Sequence, residues 1–405
     1  MGQRANAFQA EELQRRFQRL DQLLAQNSHW WQVRPFHHRG YCWEKSHPEL
    51  CAMLDALSDS DLGYLQQDSV AAVRTLSPWL DDGEELLRLS ALPRFSGRDL
   101  SPPDRLDHGI PGRKWQQILA FAGCITEQSG PLLEWCAGKG HLGRLIASVD
   151  GRPVTSLEWQ AQLCHEGEAL AQRSDVSMRF VQCDAFSPEA LQWVRRGEQA
   201  VALHACGDLH TTLMRHWRNN NGACLVISPC CYHLINSEEF VPMSEAGSSA
   251  QLSLTKDDLH LPLQETVTAG AGVRRLRELE LHWRLAFDEL QRELRGEDSY
   301  LPVPNVRKSL LKESFSAFAR WAAARKQLDF PVGIDEEKWL ALGLQRLRRV
   351  RRMELMAHIF RRPLELWLVL DRALFLQEGG AAVELGEFCD YSLTPRNILL
   401  RARSG

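Results

Sequence analysis

Long apolar runs are missing from this 405-residue chain, and no stretch approaches the roughly 20 residues that a membrane-crossing helix needs. The 11 cysteines include no CxxC pair, so compact zinc-ribbon spacing is absent and no metal is expected, ligation by His204, Cys206, Cys230, Cys231 and His233 being the lesser alternative to inert buried thiols. They are odd in number and scattered through apolar segments, which argues against a disulfide framework and predicts reduced, buried thiols. Positive charge is not in excess. A net charge of −4 excludes a protein that coats nucleic acid indiscriminately, because such binding runs on many Lys and Arg neutralising phosphates. Residues Met1 to Ala10 lack the basic start and apolar core of a signal peptide, so a cytoplasmic location is expected.

What is present is an ordinary globular composition, 44% hydrophobic and 25% charged, in a chain long enough for two or three units. Leu13, Phe17, Leu20 and Leu24 recur at helical spacing, as do Leu50, Met53, Leu54 and Leu57, so residues 1–108 read as a helical amino-terminal domain. A breaker-rich connection over Ser96 to Arg113 ends it. Short apolar runs then alternate with helix-length segments: Leu132–Leu133, Val154–Leu157, Met178–Val181, Val201–Leu203 and Leu225–Ile227. That alternation predicts βαβ units and a parallel sheet over residues 109–264, with ligands at the carboxyl ends of the strands. Residues 265–378 read as a helical insertion, and residues 379–405 as two strands that return to complete the sheet. The expected fold is α/β and Rossmann-like.

The densest signal is Glu134-Trp-Cys-Ala-Gly138-Lys-Gly140-His-Leu-Gly143, directly after a strand and opening a helix. Its GxGxxG spacing says only that the turn needs positive φ and close backbone approach to a ligand. Glu134 decides between cofactors. A carboxylate there repels a pyrophosphate, which disfavours a nicotinamide, and attracts the ammonium of S-adenosylmethionine, which also carries a sulfonium. Glu158 ends the next strand, where an acid accepts hydrogen bonds from ribose hydroxyls. Asp184 ends the third strand and is placed to accept from an adenine amino group, or to cap a helix.

Three local motifs carry a resemblance: the glycine turn, Leu203-His-Ala-Cys-Gly-Asp208-Leu209, and Ser228-Pro-Cys-Cys-Tyr-His233. The chain resembles the methyltransferase group containing the methyltransferase half of the glutathione S-transferase C-terminal-domain-containing protein and its methyltransferase-like relatives. More distantly it is similar to tRNA ribose 2′-O-methyltransferases. The segments Leu252 to Leu261 and Thr394-Pro-Arg-Asn397 look like later motifs of the group, so the resemblance covers roughly residues 108–265 and 380–402. It implies a Rossmann-like fold holding S-adenosylmethionine. The expected cofactor set is Glu134, Cys136, Gly138, Lys139, Gly140, Glu158, Asp184 and His204. Many such enzymes have glycine where this chain has Cys136.

Methyl transfer from such a cofactor needs mainly alignment and, for a protonated acceptor, a base. Tyr232, His233, Cys231 and Asp208 are the catalytic candidates. Tyr232 is read as stacking on a base and His233 as a proton acceptor; His204 to Asp208 are read as the pocket floor. RNA is the favoured substrate; Arg346 to Arg352 reads first as a solvated helix face and the aromatic segment Trp30 to Trp43 as packing between helices, with contact to RNA as the functional alternative for both. A protein or small-molecule acceptor and a non-catalytic scaffold remain the alternatives.

Overall fold

The computed structural model describes residues 10–125, 130–264 and 271–405. Among them, seven strands form one sheet: β1 Leu132–Trp135, β2 Val154–Glu158, β3 Met178–Gln182, β4 Gln199–Cys206, β5 Cys224–Cys230, β6 Ala382–Glu387 and β7 Ile398–Arg403. Their order is β3-β2-β1-β4-β5-β7-β6. The first five pair in parallel, while β7 lies antiparallel to both β5 and β6. Each strand falls on an apolar run read as a strand in the sequence. β1 and β5 are buried throughout and β4 over Gln199–Ala202, with Val201, Ala202, Leu225, Val226 and Ile227 all at 0% exposure, which is why these stretches read as unbroken apolar runs rather than as alternations.

Helices Gly112–Gly123 and His141–Asp150 supply Phe121, Leu145 and Ile146 to a core that includes Val201, Val226 and Leu399. Helices Asp208–Asn219 and Arg361–Glu378 also pack on the sheet. The strand order turns back between β1 and β4, and that switch point opens a crevice at the carboxyl edge of the sheet. The fold is Rossmann-like α/β, with amino-terminal helices and a helical stretch before the last two strands. No described helix is long and apolar enough to cross a membrane.

The chain divides into two compact units: one holds residues up to Ala25 with Glu85–Val267 and Arg361–Gly405, the other Gln26–Glu84 with Thr268–Phe360. Residues 1–108 are therefore shared between units rather than forming a domain of their own. The last helix of the 265–378 stretch, Arg361–Glu378, belongs with the sheet. It is buried on nearly every side between Pro363 and Leu374, as an internal element must be. Phe17 stacks on Trp367 with ring centroids 5.1 Å apart, which ties the first helix, Ala10–Gln26, to the same unit.

The second unit has its own core of Trp283, Phe287, Phe315, Phe318 and Trp339. Its structure shows that much of the Arg346 to Arg352 run is engaged inside the unit rather than lying as a freely solvated helix face. Arg346 is 3% exposed, pairs with Asp288 and Glu289, and donates to the Phe36 carbonyl at 2.7 Å. Arg352 is buried and donates to the Leu54 and Leu57 carbonyls at 2.7 and 2.6 Å. Arg351 pairs with Glu278, and Arg349 donates to the Arg39 carbonyl. Trp30, Trp31, Tyr41 and Trp43 are buried as well, with Trp30 and Trp43 packed edge to face. These guanidinium groups and rings bind the unit to itself, while Arg34, His37, His38, Arg39 and Arg348 stay exposed.

Candidate functional site

β1 ends at Trp135, and the chain turns through Cys136, Gly138 and Gly140, with φ of 55°, 58° and 67°. The Ala137 N–H donates to the Leu157 carbonyl and the Gly140 N–H to the Ala137 carbonyl, at 3.0 and 2.9 Å, which fixes the turn before helix His141–Asp150 begins. The three glycines meet three different demands. A Cβ at Gly138 would point into open space, so the turn there forms an uncovered cradle. A Cβ at Gly140 would overlap the Met178 methyl and the Phe180 ring, and one at Gly143 would lie 2.5 Å from the Glu134 carboxylate. Cys136 adopts the left-handed backbone without being glycine, a strain of roughly 1 to 2 kcal/mol. Burial, with Glu158 beside it, pushes its thiol up to about 12, so it stays protonated.

Glu134 braces this turn from beneath. It is 4% exposed and accepts from the Ser156 hydroxyl at 2.6 Å. Burial pushes its carboxyl up to about 7, against the pull of Ser156 and the Gly143 N–H. Glu158, at the end of β2, accepts from the Gly138 N–H through one oxygen and from the Gln160 N–H through the other, both at 3.0 Å. Asp184 is exposed after β3 and accepts from the Phe186 N–H at 2.9 Å, the local cap that its position allows. Lys139 turns away from the cradle and pairs with Glu166 at 2.6 Å on helix Ala161–Arg173.

Two rings went unnoticed in the sequence. Trp159 and Phe186, 67% and 51% exposed, follow closely on Glu158 and Asp184 and offer apolar faces beside two hydrogen-bonding acids. The signal was an aromatic just after each strand-end acid. An open glycine cradle, two carboxylates and two exposed rings fit a nucleoside cofactor that ends in an amino acid.

The exits of β4 and β5 interlock. Gly207 has φ 55° and ψ −127°, and any Cβ there would collide with the Leu234 carbonyl. The Gly207 N–H donates to the Cys230 carbonyl and the Asp208 N–H to the Leu234 carbonyl, at 3.2 and 3.0 Å. The Asp208 carboxylate in turn accepts from the Asn236 N–H at 2.9 Å. His204, exposed with φ 70°, and Cys231, half-buried with φ 47°, stand at the two strand exits. His233 lies two residues on, its ring 4.3 Å from that of His260, and burial together with His260 lowers its pKa below the ordinary imidazole value. It is therefore a neutral proton acceptor at neutral pH.

Tyr232 does not have the role expected of it. Its side chain is fully buried, the hydroxyl lies 3.4 Å from the Pro229 carbonyl and 3.5 Å from Glu365, and the Arg372 guanidinium sits 5.3 Å over its ring. No face is left for an incoming base. The group behind it was not read from the sequence. Arg372, 1% exposed, donates from Nε to His210 Nε2 at 2.7 Å, and His210 Nδ1 faces the Ala205 carbonyl at 3.2 Å. This pattern requires a neutral imidazole, and burial with Arg372 beside it holds the His210 pKa well below the usual range. The adjacent Asp371 accepts from the Met243 and Ser244 N–H groups, each at 2.9 Å. The available signal was Asp371-Arg372, a charged pair inside the apolar run Leu364 to Leu376.

A cavity of about 300 Å³ opens next to these groups, with Phe186, Asp208, Arg215, Asn236, Ser237 and Arg372 among its walls. Sequence spacing alone offers no compact metal-ligand set. The fold nevertheless brings the sulfurs of Cys206, Cys230 and Cys231 within 4.8 Å of one another.

Residues 113–238 match the family described as "Methyltransferase domain". Among solved structures, partial likenesses include the tRNA (uracil-54, C5)-methyltransferase of Pyrococcus abyssi in complex with S-adenosyl-L-homocysteine, at 15% identity over 28% of this chain and 28% of that one, TM-score 0.24. TrmN from Thermus thermophilus matches at 19% identity over 28% of this chain and 36% of that one, TM-score 0.24. A precorrin-6y C5,15-methyltransferase from Geobacter metallireducens matches at 10% over 32% and 65%, TM-score 0.25. The chain thus spans about a third or less of the first two. Likenesses of this extent decide nothing about substrate. Residues 113–238 form a methyltransferase domain, and its cofactor is S-adenosylmethionine.

Proposed function

We propose that the protein transfers a methyl group from S-adenosylmethionine to RNA. One observation carries the first half: the Glu158 carboxylate clamps the Gly138 and Gln160 N–H groups at the lip of an open glycine cradle, at the switch point of the sheet. The bound cofactor supplies a methyl on a sulfonium, an activated electrophile with its own leaving group. Glu158 and Asp184 hold the nucleoside, Trp159 and Phe186 flank it, and Glu134 braces the turn from beneath. His233 takes the acceptor's proton where there is one to lose.

Support for an RNA acceptor comes from the cavity beside Phe186. Arg215 is exposed there, donating to the Thr211 hydroxyl at 3.2 Å, and Asn236 and Ser237 add polar groups that suit a sugar-phosphate backbone. The similarity of the Gly-Lys-Gly, His-x-Cys-Gly and Cys-Cys segments to tRNA-methylating enzymes points the same way. The test is methyl transfer from tritiated cofactor into a cell extract, followed by separate nuclease and protease digestion. Label in nuclease-sensitive material, lost in Glu158→Ala, supports the proposal. Label in protease-sensitive material overturns the substrate, and a folded protein that does not bind the cofactor overturns the whole reading.

A further inference from the structure

The exits of β4 and β5 hold a cluster that cofactor binding does not use. Cys206 and Cys230 are register partners on the two parallel strands, and their sulfurs lie 3.3 Å apart. Cys231 completes the group, with the three sulfurs mutually within 4.8 Å and all three cysteines free of disulfides. A tetrahedral zinc ion with Zn–S bonds of about 2.3 Å sets its sulfur ligands roughly 3.8 Å apart. The 3.3 Å pair and the 4.8 Å limit on the other two separations are compatible with that value.

The backbone is bent to produce this convergence. Cys231 adopts φ 47°, and Gly207 adopts φ 55° where a side chain would collide with Leu234, so the two exits close on each other. A positive charge is also at hand: Arg396 acts electrostatically on both Cys206 and Cys231 and offsets the surplus charge of three thiolates around a divalent ion.

We infer that Cys206, Cys230 and Cys231 ligate a zinc ion, with the fourth position filled by water. The ion pins the ends of β4 and β5 together at the floor of the cofactor crevice. It sits on strand ends 24 residues apart in sequence, so no compact motif announces it. The inference is independent of which molecule is methylated.

The test is the metal content of the full chain purified without chelators, read by mass spectrometry of the elements and by release of zinc to a colorimetric indicator after mercurial treatment. About one zinc per chain is expected. It is expected to be lost in Cys206→Ser and Cys231→Ser and retained in Cys183→Ser, whose thiol lies outside the cluster. Cobalt reconstitution of the wild type is expected to give a thiolate-to-cobalt charge-transfer band and tetrahedral d–d absorption. Reduced, folded protein that holds no zinc and gives no such band overturns the inference. So does an intact mass two hydrogens light with a Cys206–Cys230 cross-linked peptide, since the cluster is then a redox pair. Cofactor binding, measured in parallel by calorimetry, separates failure of the metal site from failure of the methyltransferase reading.

Discussion

The Glu158 carboxylate accepts the Gly138 N–H at 3.0 Å, so the acid that ends β2 also holds the glycine turn that follows β1. Glu158→Ala removes both this bond and the one from Gln160. Hydrogen bonds to a charged group contribute about 1.5 to 3 kcal/mol each. Calorimetric titration is expected to show cofactor affinity reduced roughly ten- to hundredfold with the circular dichroism spectrum unchanged.

Gly138 and Gly140 separate binding from packing. Both have positive φ, but only at Gly140 does a Cβ meet neighbours, Met178 and Phe180. Gly140→Ala is expected to lose roughly 2 to 4 kcal/mol in urea unfolding, from left-handed strain and overpacking together. Gly138→Ala is expected to lose only about 1 to 2 kcal/mol, and to weaken cofactor binding because its methyl enters the cradle.

Glu134 makes stability depend on pH. Its native carboxyl is pushed up to about 7, whereas the unfolded chain titrates near 4.5. Between those values the native state holds a proton that the unfolded state has lost, so stability falls as pH rises through that window. The full span corresponds to roughly 3 kcal/mol. Urea midpoints between pH 5 and 8 are expected to decline for the wild type, and Glu134→Gln is expected to flatten that component.

Arg346 and Arg348 are neighbours with opposite fates, one buried in the Asp288 and Glu289 pair and the other exposed. Arg346→Ala removes one of two arginine partners from each buried carboxylate, since Asp288 keeps Arg292 and Glu289 keeps Arg39, and is expected to destabilise the helical unit by about 1.5 to 3 kcal/mol. Arg348→Ala is expected to stay within about 0.5 kcal/mol in the same denaturation experiment. Equal loss of RNA binding in both, with no loss of stability, would support the helix as an RNA-binding face.

The sheet and the glycine turn were legible in the sequence because their causes are local. A strand buried on both faces must be apolar along its length, as Leu225 to Ile227 is, and a left-handed turn selects glycine at Gly138 and Gly140. Glu158 sits where it does because its strand ends there. Tertiary structure alone decided the rest. The partner of Arg346 lies 58 residues away, that of Arg372 162 residues away, and Cys206 meets Cys230 across 24. Burial of Tyr232 and of the arginine-rich helix follows from what packs against them, and desolvation depends on neighbours that no local spacing names. The sequence by itself therefore determined which residues form the cofactor turn, while the tertiary structure decided which charges are spent inside the protein and which thiols are gathered into one place.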